Sequence, residues 1–275
     1  MIIQTRFRQH LLTKIAGWLS RSQWRIIKTP FIQGFIQHYR VDLSDALIED
    51  PKQYPSFEAF FTRKLKDGAR PLPESELAIA SPADGTIACF GGIGDNTTLL
   101  AKGHCYSISD LLGDPEAAAP YQDGQYLTVY LAPHNYHRVH MPVSGRLTHM
   151  RYIPGTLFPV NQEACAQVDG LFAKNERVIC YFETEHGPMV LVFVGAMIVG
   201  SVATAWHGKV SGDNITDWTY DDTPLYERGT DIGYFALGST VITLWPKQST
   251  ITWKTNANEL IQQGQEVGIL EANAG

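Results

Sequence analysis

Gly238-Ser239-Thr240 carries the most chemical information in this chain of 275 residues. It lies in the run Asp231–Ile242, which reads as one buried β stretch. A serine hydroxyl on a Gly-Ser step can attack the carbonyl that precedes it, and the chain then cuts itself. The serine ends as a pyruvoyl group, an electrophile made from the protein's own backbone. Gly238 suits that chemistry, because without a Cβ it leaves its carbonyl open and tolerates an unusual backbone conformation. The hydroxyl still needs a base, since serine is a poor nucleophile until its proton is taken.

Three other segments hold the groups that such a site needs: Ser81-Pro82-Ala83-Asp84-Gly85-Thr86, the run His134–Pro142, and the run Tyr152–Asn161. Each is weak alone. An aspartate before glycine is usually a turn residue, and a lone Gly-Ser-Thr means nothing. His134, His137 and His140 are spaced by three, as metal ligands on a helix would be. Pro133, Val139 and Pro142 instead favour an extended segment, where period two puts His134 and His140 on one face and His137 on the other. Together, Asp84, a histidine and Ser239 form the set of a nucleophile, its base and the carboxylate that orients the base.

The elements that must hold these groups are mainly strands. Short β-branched and aromatic runs recur from about residue 78: Gly85–Phe90, Tyr126–Leu131, Arg177–Thr184, Met189–Val194, Thr240–Trp245, Ser249–Trp253 and Glu266–Leu270. Gly187-Pro188 reads as a hairpin turn. Ser56 reads as the N-cap of a short helix that runs through Phe60 and Phe61. The expected fold class is α+β: N-terminal amphipathic helices, then a strand-rich domain of packed, mainly antiparallel sheets. The expected division is 1–40 and 41–275.

The first 40 residues are basic. They hold seven lysines and arginines and no acid, whereas the rest of the chain has 28 acidic and 15 basic side chains. Phe7, Leu11, Ile15 and Trp18 make one helical stripe, and Trp24 to Ile36 continue it, interrupted at Pro30. A basic amphipathic head on an acidic body predicts contact with an anionic membrane surface. No apolar run approaches the roughly 18–20 residues that span a bilayer. None of the four cysteines, Cys89, Cys105, Cys165 and Cys180, sits in a C-x-x-C pair, so free thiols are expected.

The ordered set of motifs resembles the phosphatidylserine decarboxylases of the bacterial and mitochondrial type. The matching stretches are Phe60–Leu65 with Arg70-Pro71, Ser81–Gly85, Tyr136–Pro142, Pro154-Gly155 with Leu157–Asn161, Asn175-Glu176-Arg177, Val194–Ala196 with Val199–Ser201, and Gly233–Phe235 with Leu237–Thr240. Arg228 departs from the lysine that the family often has before the glycine at 229.

The resemblance implies a zymogen that cleaves itself between Gly238 and Ser239, giving a β chain 1–238 and an α chain 239–275. It implies Ser239 as nucleophile, His140 as its base and Asp84 as the group that orients His140. The pyruvoyl group from Ser239 is the implied cofactor, with no metal. The implied reaction decarboxylates phosphatidylserine to phosphatidylethanolamine through a Schiff base, with His137 as the donor that returns the proton. It also implies a homodimer, peripheral on the cytoplasmic face of the cell membrane, with no nucleic-acid partner. Leu157, Phe158 and Val160 are candidates for a lipid entry or for ordinary core. Arg63 and Arg70 are candidates for lipid phosphate, with salt bridging the favoured reading.

Three rivals remain at this point. A zinc hydrolase would use His134, His137, His140 and Asp84, but there is no H-E-x-x-H. A lipoyl- or biotin-type carrier would share the turns at Asp84-Gly85 and Gly264–Gly268 but lacks the carrier lysine. A pyruvoyl decarboxylase for a soluble amino acid would have no need of the basic head.

Overall fold

The computed structural model describes residues 20–94, 97–99, 105–160, 164, 167–196, 202–236 and 239–271. The stripe Phe7 to Trp18, as well as Gly238, Asn161, Cys165 and the run 199–201, lie outside the described residues.

The dominant feature is a nine-stranded sheet. In spatial order its strands are Thr216–Thr219, Gly145–Ile153, Arg177–Thr184, Gly187–Gly195, Ser239–Trp245, Gln125–Leu131, Gly85–Gly92 and Leu260–Ile261, and Leu225–Tyr226 also pairs with Gly145–Ile153. A four-stranded sheet runs Gly208–Val210, Val202–Thr204, Asp231–Phe235, Arg138–His140. A three-stranded sheet joins Ala78–Ala80, Glu266–Leu270 and Ile251–Trp253. All of these strand pairings are antiparallel. The strand-rich α+β expectation agrees with this architecture.

The central strand shows why the sheet forms where it does. All seven residues of Ser239–Trp245 are buried. Period two sends Val241 and Trp245 to one core and Ile242 and Leu244 to the other. The first core lies between the large sheet and the two smaller ones, with Val139, Phe235, Ile79 and Val267 as contributors. The second is closed by short helices through Ile108, Leu111, Leu171 and Phe172. Ser239 is in phase with Val241, so its hydroxyl belongs to the side of the first core.

Three local expectations change. The run Asp231–Ile242 is two strands in two sheets, because the chain leaves the four-stranded sheet after Phe235 and joins the nine-stranded one at Ser239. The turn of the hairpin is Glu185-His186, and Gly187-Pro188 already opens the returning strand, where Glu183 faces Pro188. Pro30 does not interrupt its helix, which runs from Arg25 to Tyr39. Pro30 sits in the second turn, so it forfeits a single backbone bond there.

That helix packs through Ile32 against Tyr54, Phe57, Phe60 and Phe61. Ser56 caps the short helix Phe57–Phe61, accepting from Ala59 N at 3.2 Å. Among the described residues no helix is long and apolar enough to cross a membrane.

Candidate functional site

Ser239 is the first residue of the central strand and is fully buried. Its register partners are Leu131 on one side and Gly195 on the other. The polar side chain beside it is His137, whose Nδ1 is 3.5 Å from Ser239 Oγ, at the outer limit of a hydrogen bond. His137 precedes the strand Arg138–His140 and is fully buried. Its carbonyl accepts from Phe235 N at 3.0 Å, which ties it to the strand that leads into the Gly-Ser step. Its ring stacks on Phe61, centroids 3.9 Å apart. Burial, helped by the nearby Arg63 guanidinium, pulls its pKa down to about 3, so the imidazole is neutral and its protonated form is disfavoured. Nε2 of the same ring makes no hydrogen bond among the described residues.

His140 and Asp84 form a second cluster. Asp84 stands just ahead of the strand Gly85–Gly92, and its Oδ1 accepts from Gln263 N at 2.7 Å. Arg70 grips both oxygens, Nε to Oδ1 at 3.0 Å and Nη2 to Oδ2 at 2.7 Å, and reaches Asp45 with Nη1 at 2.7 Å. His140 N donates to Pro82 O at 2.8 Å, which sets Asp84's segment beside it. Both ring nitrogens of His140 are occupied, Nδ1 against Gly229 O at 2.7 Å and Nε2 against Tyr136 Oη at 2.9 Å. A carbonyl only accepts, so Nδ1 carries the proton and Nε2 accepts from the tyrosine. Burial lowers the His140 pKa, and the Gly229 carbonyl and the charges of Asp231 and Asp84 oppose that shift. Gly229 has φ +83, a backbone state that favours glycine, and that turn presents its carbonyl to the ring. A cavity of about 310 Å³ opens on this cluster, lined by Lys64, Arg70, Tyr136, His140 and Asp231 among others.

The four candidate side chains are thus gathered as two pairs, Ser239 with His137 and Asp84 near His140. Among the described residues no hydrogen bond joins His140 to Ser239 or to Asp84. His134 is exposed on a turn, apart from the buried His137. Among the described residues no three His, Cys, Asp or Glu side chains converge as a metal site. Cys180 is a buried free thiol, and Cys89 is buried as well.

Arg63 is buried and donates to the carbonyls of His134 and Asn135 at 3.1 and 3.2 Å, fixing the turn that delivers His137. Arg70 is committed to its carboxylates, in agreement with the salt-bridge expectation, whereas Arg63 departs from that expectation and spends its guanidinium on carbonyls. Val160 and Phe158 pack in the second core. Leu157 lies over Gly195, 3.9 Å from where a Cβ would stand.

Tyr136, Gly229, Phe61 and Gln263 contact the site residues and were not singled out for it in the sequence. Tyr136 carries a signal, because on an extended segment period two puts it on the same face as His140. Gln263 acts through its backbone and leaves none.

A buried serine opening a strand at a change of sheet, with a neutral imidazole beside it, places a hydroxyl next to a group that can act on its proton. The family model described as phosphatidylserine decarboxylase matches residues 57–269, and a second model, described as PSD, matches residues 9–40. A phosphatidylserine decarboxylase proenzyme of Coxiella burnetii is 47% identical over 266 residues, covering 94% of each chain. The protein of that name from Pseudomonas putida is 45% identical over 275 residues, covering 97% of this chain and 96% of its own. That of Stutzerimonas stutzeri is 48% identical over 252 residues, covering 89% and 85%. The chain belongs to the phosphatidylserine decarboxylase family. It is an enzyme, a carboxy-lyase.

Proposed function

We propose that this chain cuts itself at Gly238-Ser239 and then decarboxylates phosphatidylserine to phosphatidylethanolamine. The observation that carries the reading is Ser239 itself: fully buried, first in its strand, 3.5 Å from a histidine held neutral. In maturation, Ser239 Oγ bonds to the Gly238 carbonyl carbon and the peptide nitrogen leaves as an amine. Removal of the Ser239 Cα proton then expels the Gly238 carboxylate. Water converts the remaining dehydroalanine to a ketone and releases ammonia.

Asp84 and His140 are assigned to the proton transfers of cleavage. The charge of Asp84 favours the protonated ring, and His140 must trade one of its two ring bonds for Ser239. One observation favours a second assignment, His137 as the base: it is the histidine in reach of Ser239 Oγ.

The residues fit a pyruvoyl group at position 239. The surroundings are buried, and the ring of His137 keeps one nitrogen uncommitted. The group would supply a carbonyl that takes the substrate amine and receives the electrons left by CO₂. His137 is assigned to returning a proton to the former α-carbon.

The head is assigned to membrane contact. Trp24 and Ile26 are 66% and 81% exposed at the start of the helix Arg25–Tyr39, beside the exposed Arg25. An apolar and cationic rim of this kind suits an anionic leaflet. We assign the enzyme to the cytoplasmic face of the cell membrane as a peripheral homodimer, with 41–275 as the catalytic part.

The test is turnover of phosphatidylserine in mixed micelles, followed as phosphatidylethanolamine formed, with and without a carbonyl reagent such as phenylhydrazine. Turnover that the reagent abolishes supports the reading. Turnover indifferent to the reagent, or none from fully cleaved enzyme, contradicts it.

A further inference from the structure

Asn175 is fully buried, and the proposed function gives it no task. Its amide uses its full bonding capacity. Nδ2 donates to Phe158 O and to Gly195 O, each at 2.9 Å. Oδ1 accepts from Phe158 N at 3.0 Å, and it shares the single hydrogen of Thr156 Oγ1, 3.1 Å away, with Lys174 O, which is 3.0 Å from the same hydroxyl. Two donors and two acceptors on one short side chain is a pattern that asparagine alone provides. Aspartate would replace the NH₂ group and its two donors with one carboxylate oxygen facing two carbonyls.

The backbone repeats the same attachment. Thr156 N donates to Lys174 O at 2.8 Å, and Glu176 N donates to Thr156 O at 2.9 Å. A Cβ on Gly155 would collide with Lys174 O and Asn175 C, so the segment lies directly on the backbone beneath it. Arg177 Nη1 in turn donates to Asn175 O at 3.0 Å.

What is pinned matters because of where it lies. Gly195 is the register partner of Ser239, and its carbonyl takes one of the two amide hydrogens. The segment held by the other bonds carries Leu157, which lies over Gly195. Asn175 therefore joins Gly195, the register neighbour of Ser239, to the segment that lies over Gly195.

We propose that Asn175 is a positioning residue for the chemistry at residue 239: it clamps the Thr156–Phe158 segment to Gly195 and so sets one wall of the reaction space. The inference rests on self-cleavage at Ser239.

The experiment is a time course of precursor conversion to two chains after cell-free synthesis, for wild type, Asn175→Ala, Asn175→Asp and Thr156→Val. Folding is followed on a Ser239→Ala background by near-UV circular dichroism and urea midpoint. Folded Asn175→Ala is expected to cleave about 10²-fold more slowly. Thr156→Val, which removes the hydroxyl shared by Asn175 Oδ1 and Lys174 O from a half-buried side chain, is expected to slow cleavage about 5-fold. For Asn175→Asp, the rate relative to wild type is expected to rise as pH falls, because a protonated carboxyl regains one donor. A folded Asn175→Ala that cleaves at the wild-type rate overturns the inference. If that variant does not fold, a Thr156→Val that cleaves at the wild-type rate, with a pH-independent Asn175→Asp ratio, overturns it. Wild type that never cleaves removes the self-cleavage reading itself, and the inference with it.

Discussion

The two halves of the site are built in opposite ways. Around Ser239 and His137 the surroundings are mainly aromatic and aliphatic, with the Arg63 guanidinium nearby, and His137 Nε2 makes no hydrogen bond among the described residues. Around Asp84 and His140 the bonding is ionic and nearly saturated: Arg70 holds both carboxylate oxygens, and both nitrogens of His140 are committed. The first half has low bonding order and a nucleophile. The second has fixed charge and opens on a cavity. Electrostatic influence is strong where water is excluded, so a charged cluster can bias protons at a neighbouring dry pocket. The difference teaches that position next to the nucleophile and exposure to the carboxylate's charge have been given to different histidines.

The sharpest way to break that comparison is to remove each histidine in turn. His140→Ala is expected to leave the precursor uncut, with cleavage reduced by about 10²–10⁴-fold. His137→Ala is expected to yield two chains but to lose decarboxylation by a similar factor. Gel analysis of processing, read beside phosphatidylethanolamine formation, separates the two. An exchange of these outcomes assigns the cleavage base to His137, the nearer ring.

Next in size is the ionic half. Arg70 and Asp84 side chains are 11% and 9% exposed, so their pair is largely buried. Arg70→Ala strands the carboxylate and is expected to cost about 3 kcal/mol of unfolding free energy. Arg70→Lys, which keeps the charge but loses the two-pronged geometry, should fall between. Urea denaturation on a Ser239→Ala background checks both; a loss near zero would mean that the clamp contributes nothing to the fold.

The smallest effect belongs to the dry half. His137 is neutral in the fold down to about pH 3, while the unfolded chain binds a proton there near pH 6.5. The unfolded state therefore holds more protons between these values, so this contribution is intact above about pH 6.5 and falls as pH drops. From pH 7 to pH 5 the loss is about 2 kcal/mol. His137→Gln should flatten that part of the stability profile. An unchanged slope would show that the ring already titrates in the fold.

The strands were legible where β-branched and aromatic runs are compact and bounded by turn residues, as in Arg177–Thr184 and Glu266–Leu270, whose bounds agree with the reading from sequence. Gly145–Ile153 was missed. Its register shifts between Leu147 and His149, which breaks the period-two signal that reveals a strand. The change of sheet before Ser239 was illegible for a different reason. Both strands are apolar, and continuity of hydrophobic pattern does not report a change of pairing partner. At the site, residue types in motifs pointed to Ser239, His137, His140 and Asp84. What sequence could not convey was which of them touch, since Arg70's hold on Asp84 and Gly229's on His140 join residues 14 and 89 positions apart.

The central claim is that residue 239 is the reacting centre, and intact-mass spectrometry of the denatured protein tests it most directly. The account predicts two species, one ending at Gly238 and one beginning with a blocked residue 239 that lacks a free amine, and a single uncut chain for Ser239→Ala. One intact wild-type chain with an unmodified Ser239, in fresh and incubated protein alike, would contradict it.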